Sequence, residues 1–356
     1  MPIEGVIQHF EEQAEACRRL GSPFTAAVLA ATAQALAGRP FWAETILAWP
    51  SDPRPAALAL RLAGALHRLV LDRADHDLFE AYRRQRIDPA LIDSVLARHG
   101  ELLEEYLRIP PQTNDPQRSA VLLGGFLMIA SRTRLPLAIA EIGASAGLNQ
   151  LWDCYGYSFG SWQWSLHEPV PLRLRAEWEG KPPPMAALSV HSRAGCDIAP
   201  IDPRDEAQRQ RLLSYIWADQ PARLRRVQTA LACAAERKLQ VEKQRARTFV
   251  ARQLGRRPAK TAFVLYHSIV WQYIPRDEQR HIERSMQQAG AAATPDAPVA
   301  WLRFEPGTAK DGADLTLTLW PEGDTQILAA GDYHGRWIRW RGGGDPRRIP
   351  RLVGER

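Results

Sequence analysis

Along the first third of the chain, apolar residues recur at spacings of three and four: Val6-Ile7-Phe10, Ala26-Leu29-Ala30-Ala33-Leu36 and Leu58-Leu62-Leu66-Leu69-Val70. That period keeps them on one face of a helix. Gly21-Ser22-Pro23, Gly38-Arg39-Pro40, Pro50-Ser51-Asp52-Pro53, Asp88-Pro89 and Pro110-Pro111 interrupt it with residues that cannot carry a helix onward. The pattern predicts an all-α N-terminal bundle of about five helices up to Arg108, with no alternating strand signal. Three prolines and polar turn residues between Pro110 and Pro116 then separate two apolar segments, so the expected division is a helical cap over 1–111 and an α/β domain over 112–356.

Beyond that junction the period changes. Gln117 to Ser131 reads as an apolar helix in which Gly124-Gly125 allow close packing, and Leu137 to Ile142 as a buried strand. The glycine turn Gly143-Ala-Ser-Ala-Gly147 leads into a predicted helix, Leu148 to Tyr155. A hairpin insertion is expected around 157–178, built from Tyr157 to Leu166 and a strand from Val170 to Trp178. Ala187 to Ser192 predicts a strand that ends in an acidic loop through Asp197 and Asp202. A helical run capped by Asp202 or Asp205 follows, broken near Asp219-Gln220-Pro221. Lys238 to Glu242, Ala262 to Tyr266 and Val299 to Phe304 read as further strands, separated by helices over Arg245 to Leu254 and Pro275 to Gln288. Leu315 to Trp320 and Gln326 to Ala330 predict a closing hairpin, which Trp337 to Trp340 extends. Strand and helix alternate and then give way to antiparallel strands. The predicted fold class is therefore α/β, a Rossmann-like sheet that is mainly parallel with a reversed antiparallel edge.

Composition narrows the function classes. With 45% hydrophobic and 24% charged residues over 356, the chain has the make-up of a folded globular protein. No run approaches the roughly 18 to 20 apolar residues of a membrane helix, and Met-Pro-Ile-Glu-Gly is not a signal peptide, so the expected setting is cytoplasmic without membrane contact. Cys17, Cys154, Cys196 and Cys233 form no C-x-x-C pair, which argues against a zinc ribbon, a redox motif or a disulfide scaffold. No histidine has metal-site spacing, so no metal is expected. The net charge of +6 concentrates between Arg223 and Lys260 and after Arg336. Nucleic-acid binding through Arg245, Arg247 and Arg252 would follow from that charge, but charge alone supplies no base readout. A small-molecule substrate is the favoured partner.

The chemistry centres on the glycine turn. In open α/β sheets ligands sit beyond the carboxyl ends of the strands, where glycine permits close backbone approach. The pattern Glu141-x-Gly143-x-x-x-Gly147 resembles motif I of class I S-adenosylmethionine-dependent methyltransferases, and the likeness extends over roughly Gln117 to Trp340. It implies S-adenosylmethionine as cofactor, bound by Glu141, Gly143, Ala144, Ser145, Gly147 and Asn149. Asp197, with Glu177 as fallback, would hold the ribose hydroxyls, and Gln244 or Glu242 would accept the adenine amino group. His267, Ser268 and Trp271 would border the methyl acceptor, with His267 as general base where the acceptor loses a proton. Ser145 departs from the glycine common at its position. More narrowly, Glu-Ile-Gly-Ala-Ser-Ala-Gly-Leu-Asn, Tyr157-Ser-Phe-Gly160 and Tyr266-His-Ser268 resemble a bacterial family known as domain of unknown function 2332, whose name implies no activity.

Two other readings stay open. Gly143-Ala-Ser145-Ala-Gly147 also fits G-x-S-x-G, the elbow that exposes a nucleophilic serine in α/β-hydrolases. Asp197 or Asp311 with His267 or His334 would then complete a triad in chain order, although such an elbow ordinarily follows several strands and here follows helices. The other reading is a methyltransferase-fold binding protein that has lost catalysis. Trp162, Trp164 and Trp178 are expected to fill the interior rather than to stack on a ligand.

Overall fold

The helical period becomes α1 (Ile3–Arg19), α2 (Pro23–Ala37), α3 (Glu44–Leu47), α4 (Leu58–Leu71), α5 (His76–Arg83), α6 (Pro89–Arg98) and α7 (Gly100–Arg108). They are seen in a computed structural model that describes residues 3–38, 40–308 and 312–342. Asp75 and Asp88 start α5 and α6 by accepting the Leu78 and Leu91 amides at 3.0 and 2.9 Å. The short α3 and the break at His99 give more helices than the expected five. Phe10, Leu29, Leu36, Leu62, Leu66 and Leu78 form the core. Met1–Thr113 and Asp205–Gln228 together make one compact unit, and Asn114–Arg204 with Thr229–Arg356 make the other. Thus a segment far along the chain belongs with the N-terminal helices. Its helix over Glu206–Ser214 is capped by Asp205, and Ser214 Oγ meets the Tyr106 hydroxyl at 2.9 Å. Asp219 accepts the Phe24 amide at 2.9 Å.

In the second unit α8 (Ser119–Thr133) precedes the sheet. A Cβ on Gly124 would come within 2.4 Å of Trp340, and one on Gly125 within 2.4 Å of Leu302, so both glycines serve close packing. The strands are β1 (Leu137–Ile142), β2 (Gly156–Ser158), β3 (Gln163–Trp164), β4 (Arg173–Arg175), β5 (Glu177–Glu179), β6 (Val190–Asp197), β7 (Glu242–Lys243), β8 (Ala262–Ser268), β9 (Val299–Pro306), β10 (Ala313–Trp320), β11 (Asp324–Gly331) and β12 (Trp337–Trp340). Between them in chain order come α9 (Glu206–Ser214), which belongs to the first unit, α10 (Pro221–Glu236), α11 (Ala246–Gly255) and α12 (Arg276–Ala291).

The main sheet runs β5-β12-β11-β10-β9-β8-β1-β6-β7, with β2, β3 and β4 in a small second sheet. Strands β7, β6, β1, β8 and β9 are parallel, whereas β9 to β12 form an antiparallel meander. The result is a mixed α/β fold with a large, mostly parallel sheet. Every residue of β1 and β8 is buried, as expected of central strands covered on both faces. The chain passes from β1 outward to β6 and β7, then returns to β8 on the other side of β1. The strand order therefore reverses at β1/β8, where a crevice opens beyond the carboxyl ends. Among the described residues no helix is long and apolar enough to cross a membrane.

Three local expectations are corrected. The turn after β1 leads into a 3-10 helix, Leu148–Cys154, kinked at Leu151, instead of an α-helix. The Tyr155 and Tyr157 hydroxyls donate to the carbonyls of Leu148 and Trp152 at 2.8 and 2.6 Å, and so supply partners that a helical ladder would otherwise provide. The strand expected over Val170 to Trp178 splits between the two sheets, as β4 and β5. Finally, β6 continues through Arg193 to Asp197, where an acidic loop was expected.

Candidate functional site

The crossover from β1 is fixed by backbone geometry first. Gly143 and Gly147 have φ of +67° and +74°, and Ser145 between them has φ of +52°, a region that costs a side-chain-bearing residue energy. A Cβ on Gly143 would lie 2.3 Å from Val270, so glycine is needed there for space as well. The Ala144 amide donates to Cys196 O at 3.0 Å, carrying the β1–β6 pairing past the strand end. Asp197 completes the tie: its Oδ2 accepts the Ser145 amide and its Oδ1 the Ala199 amide, both at 2.9 Å. A carboxylate has about four acceptor sites, so two remain for a ligand.

These residues form one wall of a cavity of about 540 Å³, a volume suited to a nucleoside-sized ligand. Gly143, Cys196, Asp197 and Ile198 come from the ends of β1 and β6. Lys243, Gln244, Arg245 and Ala246 follow β7, and Val270, Tyr273, Ile274, Pro275 and Glu278 follow β8. Three features bear on binding. Gln244 Oε1 is buried without a hydrogen-bond partner among the described residues. Ile198 and Tyr273, each 73% exposed, are large apolar side chains at the cavity rather than in a core. Glu278 is buried, and its carboxylate accepts the Arg247 amide at 2.9 Å and faces Arg245 at 3.4 Å, which anchors the start of α11 to α12. Burial pushes the Cys196 thiol well up, so it stays protonated.

Of the residues picked from sequence, Gly143, Asp197 and Gln244 meet at this cavity; Glu141, Ala144, Ser145, Gly147, Asn149, His267 and Ser268 are not among its lining. Glu141 is buried and receives the Tyr266 hydroxyl at 3.2 Å. Burial raises its carboxyl well above the ordinary range, an effect that the nearby Asp197 charge reinforces and the Tyr266 hydrogen bond opposes. Asn149 Oδ1 and both amide atoms of Gln150 are buried without partners among the described residues. Gln150 Nε2 would meet a Cβ on Gly195 at 2.2 Å, so its side chain fills the space that glycine leaves. Glu177 lies on β5, at the opposite edge of the sheet from β7, and cannot share a site with Asp197 at the β6 end.

His267 is fully buried. Its Nδ1 lies 2.6 Å from Glu305 Oε1, which also accepts the Val270 amide at 3.1 Å. The ring stacks on Trp271 at 5.1 Å and contacts Trp301 at 6.1 Å. The sequence signalled neither Glu305 nor the cavity residues Ile198, Val270, Tyr273 and Glu278 as functional. Ile198 carries a usable signal, since it is apolar directly after the end of β6, whereas Tyr273 closes a 3-10 turn, Trp271–Tyr273, beyond β8. For the serine elbow, no strand precedes β1 among the described residues. His267 is fully buried with its Nδ1 on Glu305, not on either acid named for the triad, and Asp311 lies outside the described residues.

Of the arginines that would favour nucleic acid, Arg245 faces Glu278 and Arg252 pairs with Glu242 at 2.6 Å. Trp162 and Trp178 pack edge to face at 4.9 Å beside Phe159. Among the described residues no group of three or more His, Cys, Asp or Glu side chains is arranged to hold a metal. Residues 7–340 match the model of a family described as an uncharacterized protein conserved in bacteria, DUF2332. No curated protein and no solved structure matches the chain.

Proposed function

Because the chain belongs to the DUF2332 family of uncharacterized bacterial proteins, whose description carries no activity, we propose a function from the site itself: binding of S-adenosylmethionine and methyl transfer to a small-molecule acceptor. The observation that carries the reading is the unpartnered Gln244 Oε1 on the same cavity as Gly143 and Asp197. A buried acceptor without a donor costs about 1–3 kcal/mol, so a ligand donor there is favoured. The exocyclic amine of adenine is such a donor, and the free lone pairs of Asp197 suit ribose hydroxyls. Ile198 and Tyr273 offer apolar surface for the faces of a purine ring. The strand order β7-β6-β1-β8-β9, with the cavity beyond the carboxyl ends, supports the same reading.

In that role Gly143 brings backbone close to the cofactor, Asp197 and Gln244 orient its adenosine half, and Ile198 and Tyr273 exclude water from the base. S-adenosylmethionine, when bound, supplies an electrophilic methyl group on a sulfonium. The protein's contribution is then chiefly alignment of an acceptor in line with that carbon. His267 is fully buried with its Nδ1 on Glu305 and does not line the cavity, so it does not reach an acceptor held there. A second reading, binding without transfer, is favoured by one observation: Ser145 puts a side chain, at φ of +52°, into the turn between Gly143 and Gly147, where it crowds the methionine end of a bound cofactor.

Titration calorimetry with S-adenosylmethionine and S-adenosylhomocysteine tests the reading. Saturable binding of both supports it, and release of methylated product from a metabolite mixture distinguishes transfer from binding alone. Absence of binding at millimolar concentration overturns it.

A further inference from the structure

The helical unit holds a second cavity, of about 560 Å³, lined by Thr45, Trp49, Arg61, Glu104, Leu107 and Arg108. Arg61, on α4, is only 6% exposed. Its Nε donates to Ala56 O at 2.8 Å and its Nη1 to Leu107 O. The guanidinium carbon lies 5.4 Å from the centre of the Trp49 ring. All these partners are neutral. Among the described residues no carboxylate pairs with Arg61, and no acceptor takes up its Nη2. The acid on the cavity wall, Glu104, is paired with Arg108 at 3.1 Å. The cation Arg211 is close enough to act on Arg61 unfavourably.

A guanidinium stays charged in a protein, and burying a charge costs several kcal/mol unless an opposite charge compensates it. Stacking on an indole ring offsets part of that cost without neutralising the charge. Beside it, Trp49 Nε1 is buried with no acceptor among the described residues. An arginine without a counter-ion and, among the described residues, an indole N–H without an acceptor belong to side chains that line one cavity, and an oxyanion would serve the first as counter-charge and the second as acceptor.

We propose that this cavity binds a small oxyanion, a carboxylate or phosphate group, held by Arg61 and Trp49 Nε1 with the Thr45 hydroxyl and Arg108 at its mouth. The site lies wholly in the helical unit and does not depend on what occupies the cavity beyond β1. An oxyanion there accepts charge-assisted hydrogen bonds, which are about twice as strong as neutral ones.

Inorganic phosphate and acetate, each titrated into the full-length protein at constant ionic strength, provide the test. The indole N–H resonances of the protein are followed by NMR, and the Trp49 signal is identified as the one of twelve lost in Trp49→Phe. Saturable movement of that signal with either anion supports the site, and the tighter anion identifies the group it takes. Trp49→Phe is expected to weaken binding by about threefold to tenfold and Arg61→Met by about tenfold or more. Affinities of the variants, which in Trp49→Phe cannot be read from the missing signal, are measured by titration calorimetry with the same anions; should Arg61→Met fail to fold after losing its bonds to Ala56 and Leu107, the Trp49→Phe affinity and the wild-type titration still decide. A Trp49 signal unmoved by both anions overturns the proposal, as does a phosphate affinity unchanged in Trp49→Phe.

Discussion

Gln244→Leu has two consequences of opposite benefit, and the pair is diagnostic. In the free protein Gln244 Oε1 is a buried acceptor without a donor, a state that costs about 1–3 kcal/mol. Leucine has a similar volume and no polar atom. Replacing the amide should therefore recover about 1 kcal/mol and raise the melting temperature by about 2–4 °C for a unit of this size. Under the proposed function the same change removes a hydrogen bond to the adenine amine, worth about 1–1.5 kcal/mol, so S-adenosylhomocysteine should bind about tenfold more weakly. Gln244→Glu reverses both effects. It retains an acceptor oxygen, and hence affinity, but introduces a charge that is costly to bury, and hence melts lower. Thermal melts of the free proteins, with calorimetric titrations alongside, read both quantities. A Leu variant that melts below the parent and binds as tightly would refute the reasoning, because Oε1 would then be neither unsatisfied nor turned toward ligand.

Other outcomes follow from neighbouring residues. Ile198→Ser and Tyr273→Ser alter side chains that are 73% exposed, so each should change stability by less than about 0.5 kcal/mol while weakening adenosine binding severalfold; equal losses of stability and binding would place these side chains in a core instead. Gly143→Ala combines a left-handed φ of +67° with a Cβ 2.3 Å from Val270 and should cost about 1–3 kcal/mol in urea unfolding, part of which Val270→Ala should restore. Burial holds the Glu141 carboxyl well above its ordinary 4.5, so the folded state binds its proton more tightly than the unfolded state does. Its contribution is thus full below about 4.5 and is lost as pH rises toward the folded value. Glu141→Gln removes that loss, and its stability relative to the parent should improve as pH rises above about 4.5; a difference independent of pH would contradict the assignment.

The central strands were legible because burial on both faces leaves an uninterrupted apolar signature, as in Leu137 to Ile142 and Ala262 to Tyr266. Gly143, Asp197 and Gln244 could be picked because each follows a strand end, and parallel topology brings strand ends together. The rest depended on contacts far apart in sequence. β6 continues through Arg193, whose charge is met by Asp153 at 2.9 Å, a partner forty residues away that the local pattern does not encode. The 3-10 helix after Gly147 depends on tyrosine hydroxyls that reach back to its carbonyls, a bond that periodicity does not encode. Residues 205–228 read correctly as helical, but the partners that attach them to the first unit are Tyr106, His67 and Phe24. His267 stands out in the sequence by its place at a strand end, whereas its partner Glu305 sits on β9 and carries no local signal.

The most direct measurement is a crystal structure of the protein grown with S-adenosylhomocysteine. Adenosine density beyond the ends of β1, β6 and β7 is the predicted result, with the exocyclic amine on Gln244 Oε1, the ribose on Asp197 and the base against Ile198 and Tyr273. An empty cavity at saturating ligand, or adenosine bound elsewhere with Gln244 and Asp197 untouched, would contradict the account.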